Sequence, residues 1–169
     1  QVAGEPGHEV ARRTTEHAQT NHTLRYGTTT DTVPASEFNA RMIVDGIPGL
    51  VELVSPAGEM EVVNRPMLEY FGKSLEELRN WAHGDLIYPD DFPLVNETFN
   101  NFLPAGRPFA IEVRLRRFDG VFRWFQSRGR PLRDPEGRIL HWYVLLTDIE
   151  ERKQAEERLR RNEAFLADG

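Results

Sequence analysis

Chemistry in this chain has to come from imidazole, carboxylate, hydroxyl and amine groups, because its 169 residues include no cysteine. That excludes disulfides, thiolate metal sites and cysteine nucleophiles. His8-Glu9-Val10 sets a histidine beside an acid. A phosphoacceptor histidine would need Asn-Pro downstream and a zinc hydrolase a second histidine four residues on, and neither follows. His83 with Asp85, Asp90 and Asp91 is a candidate cation cluster, but it lacks the alternating ligand spacing of a calcium loop. Asp90 or Asp91 reads instead as the cap of the helix that follows. Gly46-Ile47-Pro48-Gly49 is a turn, not a phosphate-binding loop. Arg114, Arg116, Arg123, Arg128 and Arg130 make one hairpin face basic, as charges that keep a sheet soluble do. These groups supply no catalytic residue and no metal site.

The composition, 39% apolar and 28% charged, is that of a globular domain. A net charge of −6 argues against a nucleic-acid partner. No apolar run approaches the ~18 residues that span a bilayer, and no secretory signal opens the chain. A cytoplasmic piece of a longer protein, without a membrane segment, is expected, since the chain opens on Gln1 and stops inside a helical pattern.

The elements that must position these residues follow from spacing and turn chemistry. Residues 1–34 are polar and threonine-rich, with Val10-Ala11-Arg12-Arg13 suited to a short helix, and read as a leader or linker. Ser36 suits an N-cap for a short helix carrying Phe38, Met42 and Ile43. Strands are expected at Leu50–Val54 and Glu59–Val63, with Ser55-Pro56-Ala57-Gly58 as the turn. Asn64 caps a short helix that Gly72 ends, and Ser74 with Glu77 makes a capping box for the next. Phe92, Val95, Phe99, Phe102 and Leu103 recur at helical spacing. Three long strands follow at about Phe109–Phe118, Val121–Arg133 and Arg138–Asp148, the first pair joined by a two-residue turn at Asp119-Gly120. In the last strand Leu140, Trp142, Val144 and Leu146 fall on one face, and Ile139, Tyr143 and Leu145 on the other. A strand apolar on both sides is covered on both sides. From residue 150, Ala155, Leu159, Asn162 and Leu166 trace a narrow coiled-coil seam.

Tyr88-Pro89-Asp90-Asp91, Arg117-Phe118-Asp119-Gly120 with Arg123-Trp124, Arg128-Gly129-Arg130-Pro131 with Arg133-Asp134, and Asp148-Ile149-Glu150 stand in a fixed order. Together with the element order they resemble the PAS domain, of the type common in bacterial sensor histidine kinases, over residues 36–153. The family usually shows His where this chain has Tyr88. The resemblance implies an α+β PAS fold, a five-stranded antiparallel sheet with short helices on one face. It divides the chain into a leader (1–34), a sensory domain (35–149) and the start of a signalling helix (150–169).

On that resemblance the helices cup a small cavity, with Tyr70, Phe71, Ile87, Phe99, Val113, Trp124 and Val144 as its expected lining. Such a lining suits a filled core or a small hydrophobic ligand. Blue-light members of the family use a cysteine, absent here, and haem-binding members commonly offer a histidine from the long helix, where Asp91 to Leu103 has none. A haem- or flavin-bound gas or redox sensor is the alternative function. The resemblance implies a signal junction at Asp148, Ile149 and Glu150, where Arg123 or Arg128 is expected to hold Asp148 by a charged hydrogen bond. The expected function is a non-enzymatic sensory and dimerisation module of a bacterial signalling protein. Homodimer contacts would run through the leader or first helix and the outer face at Ile139, Tyr143 and Leu145, and a kinase or cyclase output domain would share the chain.

Overall fold

The computed structural model describes residues 34–169. His8-Glu9-Val10, the expected helix at Val10–Arg13 and the rest of the leader before Pro34 lie outside the described residues. By contacts the chain divides into two units, 1–40 and 41–169. The described part of the first is the opening of α1 (Ala35–Gly46), and the second carries everything else. Met42 and Ile43 on α1 are exposed.

The sheet holds five strands, β1 (Leu50–Val54), β2 (Met60–Val63), β3 (Phe109–Arg116), β4 (Phe122–Arg133) and β5 (Ile139–Asp148), in the order β2-β1-β5-β4-β3. Every neighbouring pair is antiparallel. Three of the four pairings are hairpins, and all three turn on one device. Glycine is the fourth residue of the turn, with φ of +90° at Gly58, +88° at Gly120 and +84° at Gly137. Its N–H donates to the carbonyl of the first turn residue, Ser55, Arg117 or Asp134, whose own N–H donates across to Glu59, Val121 or Arg138. The 117–120 turn is thus a three-residue connection closed by a left-handed glycine, not the two-residue turn that Asp119-Gly120 suggests.

Between β2 and β3 lie α2 (Arg65–Phe71), α3 (Leu75–Arg79), 3-10 turns at Trp81–His83 and Pro89–Asp91, and α4 (Phe92–Asn101). Asn64 caps α2 by accepting from the Met67 N–H at 3.2 Å, and it also binds the backbone of Val51 and Gly49. It is fully buried with its amide satisfied, so it ties β1 to the helix start as well as ending a strand. Gly72 closes α2 in the left-handed conformation, and the Ser74–Glu77 capping box is present on α3.

These short helices and α4 cover one face of the sheet. Leu50, Val63, Met67, Phe71, Leu78, Val95, Val113, Leu115, Phe125 and Leu146 form the main core, and Val54, Leu103, Phe109, Trp142 and Val144 a second cluster. Gly129 belongs to this packing, since a Cβ there would sit 2.2 Å from the Phe109 ring. The segment Leu86–Tyr88 lies along the open side of β3, exchanging hydrogen bonds with Arg114 and Arg116, which covers that edge. α5 (Glu150–Ala167) leaves directly from β5.

One phase expectation in β5 is overturned. The β4–β5 register slips between Leu132 and Arg133, so Leu132 faces His141 and Arg133 faces Ile139. Leu140 is the extra residue of that bulge and is 51% exposed. Ile139 turns inward onto the second cluster and away from the outer face that strict alternation gave it. Tyr143 and Leu145, beyond the bulge, stay on the outer face and are half-buried.

Candidate functional site

Two linked places on the sheet carry the unusual chemistry: a cavity under the helices and a polar junction where β5 becomes α5. The cavity is small, about 70 Å³. Phe71, Ile87, Phe99 and Val113 of the expected lining reach it, joined by Met60, Met67, Trp81 and Ile111. The other expected residues do not. Tyr70 packs beside the core, its hydroxyl donating to the Leu115 carbonyl at 2.8 Å and its ring edge-on to Phe125 at 4.9 Å. Burial and the Asp148 carboxylate push its phenol well above the usual tyrosine range. Val144 is buried in the second cluster. Trp124 lies on the opposite face, because Phe125, Ser127 and Gly129 are the buried residues of β4 and alternation sends Trp124 outward.

The cavity wall also holds one group that no pattern in the sequence singled out. Glu52, in the middle of β1 between Leu50 and Val54, points inward and is only 5% exposed. Among the described residues no donor or cation reaches its carboxyl, and burial alone pushes it up to about 7. Ser127, on β4, is the other buried polar group on that wall.

The junction is tied at several points. Asp148 accepts from Arg123 Nε at 2.8 Å through one oxygen and from the Glu150 N–H at 2.9 Å through the other. The Ile149 N–H donates to the Trp124 carbonyl, and the Trp124 N–H donates to the Glu150 carboxylate at 2.7 Å. Two residues of β4 therefore hold the first turn of α5, whose acidic start suits a helix N-terminus. Arg128, the other candidate partner, is exposed and pairs in register with Leu145, three residues up the strand from Asp148. It takes no part in the junction.

On the outer face the Arg114 guanidinium makes the connection that local spacing hides. It binds both oxygens of Asp91, 2.9 and 2.8 Å away, while its backbone N–H donates to the same carboxylate at 2.8 Å. Although burial opposes it, Arg114 holds the Asp91 carboxyl below the usual carboxylate range. Asp91 is therefore spent on the sheet and makes no side-chain cap for α4. The same guanidinium stacks on the rings of Tyr88 at 3.8 Å and Trp124 at 4.6 Å, a paired, cation–π geometry that arginine alone supplies. Lys153 of α5 covers Trp124 at 4.5 Å, and Lys153 and Arg152 pair with Glu112. A chain of contacts thus runs from the start of α4, which lines the cavity, across β3 and β4 to the first turns of α5. Asp85 pairs with Arg116. Among the described residues no three histidine or carboxylate groups are placed to hold a metal ion.

The sequence profile of the PAS fold family matches residues 61–146, slightly more than half of the chain. The peroxide stress-activated histidine kinase mak1 of Schizosaccharomyces pombe is 37% identical over 128 residues, which are 75% of this chain and 8% of that protein. The kinase mak3 of the same yeast is 28% identical over 126 residues, 73% of this chain and 5% of that protein. This chain therefore spans less than a tenth of the length of either relative. Among solved structures, a sensory box histidine kinase/response regulator from Burkholderia thailandensis superposes with a TM-score of 0.57 at 25% identity, covering 78% of this chain and 99% of that one. The PAS domain of a protein from Colwellia psychrerythraea superposes at 0.53 with 17% identity, over 68% of this chain and 97% of that one, a likeness of fold. A sheet of this order, helices cupping one face, a helix leaving from the last strand and the profile match together place the chain in the PAS fold family.

Proposed function

We propose that this segment is the non-enzymatic sensory module of a signal-transduction protein, and that it works by passing a change in the cavity to the exit helix. The observation that carries the reading is the double hold on the first turn of α5. Asp148, the last residue of β5, is clamped by Arg123 and so ties it to β4, and the Asp91–Arg114–Trp124–Lys153 chain ties it to the helix over the cavity. A shift of α4 or β5 has to be absorbed by these contacts, because close-packed interiors repack between discrete arrangements rather than stretch.

A histidine kinase output domain in the same chain is supported by the two yeast kinases and the Burkholderia protein. A small occupant suits the cavity, because 70 Å³ lies below the ~300 Å³ at which pockets for drug-sized ligands and cofactors begin. Haem and flavin do not fit that space, so the alternative of a coloured gas or redox sensor has less support. Among the described residues no helix is long and apolar enough to cross a membrane. A cytoplasmic position is part of the same proposal.

Self-association is part of the proposal. Tyr143 and Leu145 with Leu53 across the strand pair make a half-buried apolar stripe on the outer face, and the occupant proposed for it is a second copy of this chain. Light scattering at high micromolar concentration is expected to show a dimer, and a strict monomer refutes this element. The relay has its own test, hydrogen exchange on Ser127→Leu, which fills the cavity. Amides from Ile149 to Lys153 are expected to change protection, and Arg123→Ala to abolish the change. If exchange at the junction ignores the cavity, the relay is wrong.

A further inference from the structure

Glu52 is the one acid buried below a tenth exposure among the described residues, and it has no partner there. Elsewhere in the domain the acids that lose solvent gain a cation: Asp91 has Arg114, Asp148 has Arg123, and Glu112 has Arg152 and Lys153. A buried carboxyl left unpaired costs the fold free energy that leucine at the same place would save. Its surroundings decide what would satisfy it. The cavity it faces is otherwise apolar except for Ser127, and no second titratable group lines it. Phe71, Trp81 and Phe99 present aromatic surface to the same space, and the negative faces of such rings favour a positive guest.

We propose that the cavity binds a compact alkylamine, its nitrogen donating to Glu52 and its carbons lying against Met60, Met67 and the aromatic walls. The assignment deepens the sensory reading and rests on it, since it names the chemistry of the ligand that the cavity would take. Size narrows the class further. An apolar cavity of about 150 Å³ accepts benzene, so 70 Å³ holds roughly three non-hydrogen atoms by that proportion. An ammonium group on one or two carbons fits that limit, and a branched chain or ring system does not. A neutral alcohol of the same shape fills the space equally well but leaves the carboxyl without a cation, and this difference is what can be measured.

The three methionines make the experiment direct. Met60 and Met67 line the cavity, while Met42 is exposed on α1 and serves as the internal control. The chain labelled with 13C in its methionine methyl groups is titrated with ethylammonium chloride and, separately, with ethanol. The expected result is a saturable shift of the Met60 and Met67 signals, a still Met42 signal, and an affinity about tenfold or more higher for the amine, the effect of a charged hydrogen bond. Glu52→Gln is expected to remove the preference for the amine and leave the weak response to ethanol. Equal responses to the two probes on the unaltered chain overturn the amine assignment while the cavity remains a binding site. No response of Met60 and Met67 to either probe, or a parallel shift of Met42, overturns both. The comparison of probes on the unaltered chain decides the matter even if the glutamine variant fails to fold.

Discussion

Glu52 and Arg114 show how much the meaning of one side chain depends on who its neighbours are. Glu52 stands where a strand normally offers leucine or valine to the core, so its cost to stability depends on pH in a definite direction. Burial raises its pKa from the usual carboxylate range to about 7, so the folded chain keeps a proton that the unfolded chain releases as pH rises through that window. Stability is therefore greatest below the unfolded value and falls until the folded value is passed. A shift of this size corresponds to something on the order of 3 kcal/mol. Urea unfolding at about pH 5 and about pH 8 is expected to show the loss in the unaltered chain and a much flatter profile in Glu52→Gln. An identical slope in the two proteins would show that the carboxyl is solvated. Arg114 is the opposite case. It looks like a charge on a wet face, yet its fork and plane are both used, so it joins three elements.

At the scale of elements, the strands are held in place by glycines and caps, each for a local reason. Gly129 is the clearest, since the Phe109 ring lies over its backbone and any side chain there displaces that ring from Phe99 and Trp142. Gly129→Ala is expected to cost about 1–3 kcal/mol, the ordinary penalty of an overpacked core. The fall in the urea midpoint measures it, and an unchanged midpoint means that Phe109 has a second position open to it. The bulge at Leu140 belongs to this scale too. By shifting the phase of β5 it brings Ile139 under the second cluster and leaves Tyr143 and Leu145 outside, where a second copy of the chain is proposed to rest.

For the whole molecule, the domain and its exit helix are separable in energy. Past Lys153, α5 exposes Leu159, Phe165 and Leu166, and its ion pairs from Glu157 onward are within the helix itself. Such pairs contribute only a few tenths of a kcal/mol each, and a helix of this length alone is marginal in water. Removing residues 154–169 is accordingly expected to leave the unfolding free energy within about 0.5 kcal/mol, as for exposed changes generally, while weakening the proposed dimer, with light scattering as the readout. A loss of several kcal/mol on truncation would instead place the distal helix against the domain.

The sequence by itself determined what depends on near neighbours along the chain. Asn64 and the Ser74–Glu77 box announce helix starts because a cap acts within three residues. Gly58, Gly120 and Gly137 announce hairpins because only glycine takes the left-handed backbone cheaply. The order of motifs was enough to indicate the family, and Asp148 suits the helix start beside it because a carboxylate there acts within one turn. Tertiary structure alone decided which face of each strand is inside. Alternation separates two faces without naming them, so Trp124 was assigned to the cavity and Glu52 went unnoticed. The partner of Asp91 is 23 residues away in sequence, and the choice of Arg123 over Arg128 depends on a strand register. Such pairings are set by how the sheet packs under its helices, because the energy that fixes them comes from burial and not from the local chain.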